Sequence, residues 1–232
     1  MKILALDTTA NTSSVALLEN ESLIGIYTVN TKNTHSETLL PMIKHLLETL
    51  RLTNDDIDAY AVSNGPGSFT GVRIGVSTVK GLAFGKNKPC VEVSTIEALA
   101  QNLEGFDGII CPIMNARRGQ VYTGAFLNKE CIIKDTCMML ADLIPMLEEY
   151  NRKIYFTGDG YSLITELKEA HPSIMHTPEP LRYQSAYSVG KVAYEKLQRN
   201  EATTDASLRV EYLRKPQAER EREEKLEKEK QL

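Results

Sequence analysis

Apolar positions dominate three short runs within the first thirty residues, at 3–6, 15–18 and 23–29. The gaps between them are brief and made of turn-forming residues, a pattern that predicts three antiparallel strands joined as hairpins. The period then changes. Leu39, Ile43, Leu46 and Leu50 recur at helical spacing with Leu40 and Leu47 beside them, and Thr34 with Glu37 forms a Ser/Thr-x-x-Glu start signal. A helix over 35–50 follows, which Pro41 either kinks or effectively starts. Residues 59–63 read as a buried strand that runs through a Gly/Pro-rich segment, 64–71, into a helix over 72–84. Another strand at 90–93 and a short helix at 95–101 complete the first half.

The second half repeats the rhythm. Strand-like runs at 109–114, 121–127 and 131–134 precede a helix over 140–150 and a strand at 154–157. Gly158-Asp159-Gly160 breaks that strand, and helices are predicted over 162–170 and 188–199. Three antiparallel strands followed by alternating helices, occurring twice, is the order of the α/β actin-like ATPase (ASKHA) fold. The expected organisation is two βββαβα-type lobes, 1–105 and a reduced 106–213, whose last helix can pack back on the first lobe. Residues 214–232 differ in kind. Pro216 sets them apart, Leu226 is the one apolar residue between Glu219 and Lys230, and Glu221–Lys225 and Glu224–Lys228 are favourable i,i+4 pairs. That composition predicts a solvated, fraying helix or a disordered tail.

Composition narrows the functions. Of 232 residues 42% are hydrophobic and 25% charged, enough to build a core. Aromatics are 6% with no Trp, which leaves little for a base-stacking platform. The net charge of −4 is not that of a chain gripping nucleic acid on its own basic face, so any RNA is expected to be held by something else. Cys90, Cys111, Cys131 and Cys137 show no Cys-x-x-Cys spacing and are expected as buried free thiols. The apolar run before Asp7 is too short for a signal peptide and no stretch reaches the length of a membrane span, so the expected setting is cytoplasmic, without membrane contact.

Two loops could face an anion. Asp7 and Thr8 open a hydroxyl-rich turn between the first two strands, which reads either as a phosphate cradle, with Asp7 reaching magnesium through water, or as a plain hairpin turn. Gly65, Pro66, Gly67 and Ser68 lie between a buried strand and a helix N-terminus, where orphan N–H groups suit an anion. The spacing is neither a Walker A nor a Rossmann loop, and a tight turn without ligand is the alternative. In the second half Arg117 and Arg118 stand at the corresponding hairpin; they can bind an anion or form an exposed basic turn, but Asn115 provides no carboxylate there to arrange magnesium and water. No His-x-x-x-His pair occurs among His35, His45, His171 and His176, so no metal site is expected. Gly71 and Gly75 in the helix after the loop call for close approach of another backbone, either the chain's own sheet or a partner's helix.

Four collinear motifs carry a resemblance. Ile3-Leu-Ala-Leu-Asp-Thr-Thr, His35-Ser-Glu-x-Leu-Leu-Pro41, Ser63-Asn-Gly-Pro-Gly-Ser-Phe-Thr-Gly-Val-Arg-Ile-Gly75 and Asn115-Ala-Arg-Arg-Gly-Gln-Val-Tyr122 together resemble the TsaB (YeaZ) family over residues 1–213. The resemblance implies a non-catalytic scaffold or activator of the catalytic paralogue TsaD, which transfers threonylcarbamoyl to adenosine beside the tRNA anticodon. TsaD carries a metal-binding His-x-x-x-His motif; the comparable helix here, Ser94-Thr-Ile-Glu-Ala-Leu-Ala100, has neither histidine. The resemblance further implies that an ATPase, TsaE, joins through the complex. The chain would have no cofactor of its own, with ATP and magnesium bound only within the partner complex. The family's first-lobe helices bundle with the partner's, which makes Leu39, Met42, Ile43, Leu46, Val72, Gly75 and Val79 the expected interface, open also to a homodimer through the same helices. Gly75→Leu is then expected to block association without unfolding the chain. Where that family usually has Asp, this chain has Asn115. The alternatives are a stand-alone actin-fold ATPase or small-molecule kinase using Asp7 and the 65–68 loop, or, on older naming of the wider family, a metallopeptidase.

Overall fold

The computed structural model describes residues 1–31, 33–165, 167 and 169–214. The first sheet is built from β1 (Lys2–Asp7), β2 (Thr12–Glu19), β3 (Ser22–Asn30), β4 (Ala59–Gly65) and β5 (Cys90–Ser94), in the order β3-β2-β1-β4-β5. β1, β2 and β3 pair antiparallel; β4 joins β1, and β5 joins β4, in parallel. Successive strand residues point to opposite faces. Leu4, Leu6, Val15, Leu17, Tyr60 and Val62 therefore pack beneath α1 (His35–Thr49) and α2 (Phe69–Ala83). Ile3, Ala5, Ala16, Leu18, Ala61, Val91 and Val93 meet α5 (Ala186–Gln198) on the other face. Burial on both sides explains why β1 reads as a continuous apolar run rather than an alternating one.

The second sheet holds β6 (Ile109–Arg117), β7 (Gln120–Leu127), β8 (Glu130–Met139) and β9 (Ile154–Thr157), in the order β8-β7-β6-β9, with α4 (Leu140–Glu148) packed on it. The helix α3 (Thr95–Gln101) bridges the lobes: Ile96 and Leu99 cluster with Ala10 of the first and Met114 of the second. This order of elements is that of the actin-like fold.

Several expectations need correction. α1 runs unbroken through Pro41, with its capping box formed: the Thr34 N–H donates to the Glu37 carboxylate at 3.1 Å. Pro41 and Glu37 are both exposed, so water can satisfy the carbonyl that proline leaves without a donor. Of the helix expected over 162–170, residues 166 and 168 lie outside the described residues, and 162–164 belong instead to a 3₁₀ segment, Asp159–Ile164. Its start is pressed against β6, where a Cβ on Gly160 would stand 2.9 Å from the Ile113 carbonyl oxygen. Cys90 and Cys111 are buried, but Cys131 is exposed and Cys137 half-buried, because β8 is an edge strand. The charged tail falls, from Lys215 onward, outside the described residues. Among the described residues no helix is long and apolar enough to cross a membrane.

Candidate functional site

Both antiparallel hairpins end at one cleft between the lobes. On the first, the Asp7 carboxyl group is 1% exposed. Its Oδ1 accepts from the Thr9 N–H at 2.9 Å and the Thr9 hydroxyl at 2.8 Å, and its Oδ2 from the Ser63 hydroxyl at 2.5 Å. Burial pushes its pKa above the ordinary carboxylate value while these donors pull it back. Asp7 is thus a buried pin that ties the β1–β2 turn to β4, and it does not line the cleft as a magnesium-facing group would.

The glycine-rich loop is shaped around that same turn. The Thr8 hydroxyl donates to the Gly71 carbonyl at 2.7 Å, and the Ser68 N–H donates to the Thr9 carbonyl at 2.7 Å. A Cβ on Gly67 or Gly71 would overlap the Thr9 or Thr8 carbonyl oxygen, and one on Gly75 would stand 2.6 Å from the Thr8 hydroxyl. The close approach signalled by Gly71 and Gly75 is therefore made by the chain's own turn, not by a partner's helix. Gly65, with φ +129°, leaves room for the backbone of Glu211.

From the second lobe, the β6–β7 hairpin turns through Arg117 (φ 65°), Arg118 (φ 55°) and Gly119 (φ 75°). The left-handed conformation is unusual for arginine, and Asn115 steadies it by accepting the Arg117 N–H at 2.8 Å. Asp159, in the break after β9, is solvent-exposed at the foot of the cleft. Loss of hydration in these crowded surroundings, with a smaller contribution from the charge of Asp7, pushes its pKa up to about 6.

Residues 209–214 form a strap across the mouth. Asn64 accepts the Glu211 N–H at 2.8 Å and donates to the Arg209 carbonyl at 3.3 Å. Tyr212 stacks on Phe69 with centroids 4.9 Å apart and accepts from Arg73 Nε at 2.7 Å, while the Arg73 guanidinium lies 3.7 Å above the Phe69 ring. Arg214 then crosses to the second lobe and donates to the Ala116 carbonyl at 2.8 Å.

These parts enclose a cavity of about 440 Å³, lined chiefly by hydroxyl, amide and charged groups from Thr9, Asn11, Ser68, Thr70, Asn115, Arg117 and Asp159, with Tyr122, Tyr212 and Arg214. Of the residues expected to face an anion, Gly67, Ser68 and Arg117 line it; Asp7, Thr8, Gly65, Pro66 and Arg118 do not. Asp159, Phe69, Tyr212 and Arg214 were missed. Asp159 had a signal, a carboxylate between glycines at the C-terminal end of a strand parallel to its neighbour, where α/β sheets bind ligands. Tyr212 and Arg214 had none, since their partners are remote in sequence. Among the described residues no cluster of three or more His, Cys, Asp or Glu could hold a metal ion.

The expected interface also needs correcting. Leu39, Met42, Ile43, Leu46, Val72, Gly75 and Val79 are all buried against the chain's own sheet. What α1 and α2 present outward is a shallow apolar groove between Leu40, Pro41 and Leu82, rimmed by Lys44 and floored by Leu47 and by Ile43, the one residue of the expected set that reaches it; Leu40 is 55% exposed, and Phe84, just beyond α2, 79%.

Two three-plus-strand lobes closing on a polar cleft give the chain the actin-like ATPase fold. At that level it is similar to component A of the (R)-2-hydroxyglutaryl-CoA dehydratase of Acidaminococcus fermentans, with a TM-score of 0.53 at 11% identity over 85% of this chain and 99% of that one. Much nearer is YeaZ from Pseudomonas aeruginosa, with a TM-score of 0.71 and 25% identity over 91% of this chain and 99% of that one. Residues 11–222 match the family described as "TsaD: tRNA N6-adenosine threonylcarbamoyltransferase". The tRNA threonylcarbamoyladenosine biosynthesis protein TsaB of Bacillus subtilis is 42% identical over 173 residues, which are 73% of this chain and 76% of that protein. TsaB of Escherichia coli is 37% identical over 56% of this chain and 57% of its own length. The chain belongs to the TsaB (YeaZ) family.

Proposed function

We propose that this chain acts in tRNA threonylcarbamoyladenosine synthesis as a non-catalytic activator that docks on TsaD. The supporting observation is its 42% identity to a protein named for that biosynthesis, together with the match to the TsaD family itself. The docking surface is the outward side of α1 and α2, around Leu40 and Phe84, rather than their buried stripes. Activation is differential binding: the chain holds TsaD in its competent conformation by binding that state more tightly. TsaE and ATP with magnesium belong to the assembled complex, tRNA is met through TsaD, and the setting is the cytoplasm.

The test is capture of purified TsaD, followed by formation of the modified nucleoside on tRNA with and without this chain. Leu40→Glu combined with Phe84→Glu is expected to weaken capture about tenfold or more, with an unchanged circular dichroism spectrum. Native affinity in the double variant overturns the surface, and full tRNA modification without this chain overturns the role.

One observation favours a second reading, a stand-alone ATPase: Asp159 places a carboxylate in the cleft. Steady ATP turnover by the purified chain, lost in Asp159→Asn, supports that reading instead.

A further inference from the structure

The cleft holds charges that the chain itself leaves unused. Asp159 sits at its foot, beside the Asn115 N–H and the Gln184 side chain, with no cation against it among the described residues. With a pKa of about 6 it is ionised at neutral pH but poorly hydrated, so a cation set against it gains more than one on an open surface. Arg117 stands two residues beyond Asn115 on the same strand, no more than about 7 Å further along it. It forms no ion pair among the described residues, and neither does Arg214, whose guanidinium is fixed nearby by its bond to the Ala116 carbonyl at 2.8 Å. Opposite charges this near could pair with each other. Instead they line one cavity of about 440 Å³ and stay apart, the carboxylate at the foot and the guanidinium groups at the hairpin.

A buried amide beside them is also unused. Gln184 is 1% exposed, and neither the oxygen nor the nitrogen of its side chain makes a hydrogen bond of ordinary geometry among the described residues. Two unpaired polar atoms in so dry a position cost stability. Their place next to Asp159 is where a network completed by a bound molecule would draw on them.

The layout selects the ligand. Two guanidinium groups alone would suit a phosphate or polyphosphate, but the carboxylate at the foot repels one. A purely cationic molecule would meet Arg117 and Arg214. Both ends are satisfied by a molecule that carries an ammonium and a carboxylate close together. The opposite wall suits the same class, since Asn11, Ser68 and Thr70 of the first lobe offer hydrogen-bonding groups to a side chain.

We infer that the cleft binds a free α-amino acid, its ammonium on Asp159, its carboxylate between Arg117 and Arg214, and its side chain toward the first lobe. The site is separate from the outward side of α1 and α2 assigned to TsaD, so either reading can fail without the other.

Isothermal titration of the purified full chain near neutral pH with the proteinogenic amino acids, one at a time, is expected to find binding. For the tightest of them, the N-acetyl derivative, which has no ammonium, and the carboxamide, which has no carboxylate, are each expected to bind about tenfold or more weakly. Asp159→Asn is expected to weaken the free amino acid by a similar factor and to leave the N-acetyl derivative unchanged. Arg117→Asn, which keeps a residue that tolerates the left-handed backbone, is expected to weaken the free amino acid and to leave the carboxamide unchanged. The blocked forms are read on the unsubstituted chain, so they decide the matter even if a variant misfolds. An absence of binding by any amino acid, blocked forms that bind as well as the free one, or a dipeptide or magnesium–ATP bound in its place overturns the inference.

Discussion

A Cβ on Gly75 would lie 2.6 Å from the Thr8 hydroxyl oxygen and 3.2 Å from a Val62 methyl, whereas one on Gly81, two turns further along α2, would meet nothing within 4 Å. The two glycines therefore separate packing from helix propensity. Gly75→Ala is expected to destabilise the chain by about 1–3 kcal/mol through overpacking, and Gly81→Ala to stabilise it by about 0.5–1 kcal/mol. Denaturant midpoints of the two variants check the pair; a stabilised Gly75→Ala would show that the Thr8 turn can move aside. It follows that Gly75→Leu would disturb the fold before any interface. The need for glycine at 71 and 75 was legible in the sequence, because glycine inside a helix costs stability unless something needs the space. What filled the space was not, since Thr8 lies more than sixty positions away. Asp7 is similar: a carboxylate in a hydroxyl-rich turn looks the same on paper whether it faces a ligand or, as here, is held by Thr9 and Ser63.

Among elements, the strap at 209–214 has the least sequence signal and some of the densest contacts around the cleft. Its ring of Arg73, Phe69 and Tyr212 is a coupled unit: the guanidinium stacks on one ring and donates to the hydroxyl of the other. A double-mutant cycle of Arg73→Ala and Tyr212→Ala is expected to give a coupling of about 0.5–1.5 kcal/mol. Additive losses would mean that the ring does not act as a unit and that the strap is held by its bonds to Asn64 and Ala116. Elements with periodic patterns were found where the apolar spacing put them, as for α1, α2, α3 and α5. The exception at 162–170 is instructive. Its polar and apolar residues suit a helix, but the close packing of Gly158 and Gly160 on β6 leaves the segment a tighter 3₁₀ path.

Across the whole molecule, the two lobes create an environment neither has alone, and Asp159 reports it. Its pKa stands at about 6 when folded against an ordinary 3.8, so the folded chain binds this proton more tightly than the unfolded chain does. The stability that Asp159 contributes is accordingly complete below pH 3.8, declines as the pH rises, and is gone above about pH 6. Asp159→Asn is expected to flatten the dependence of the melting temperature on pH across that window. A carboxyl carbon resonance for Asp159 titrating near 4 would show the cleft to be fully water-like. The repeated order of strands and helices, read from hydrophobic spacing, was enough to give the actin-like class. The way the lobes face each other was not, because contacts such as Arg214 to Ala116 join residues with no local pattern between them.

The return of α5 to the first sheet has a practical corollary for anyone wishing to cut this polypeptide. A fragment ending near residue 105 would keep all five strands of that sheet but lose the helix that shields Ile3, Ala16, Leu18, Ala61 and Val91 from water. An entire greasy side would be left bare, inviting precipitation. The amino-terminal half is thus not an autonomous module, however cleanly its strands and helices succeed one another along the chain.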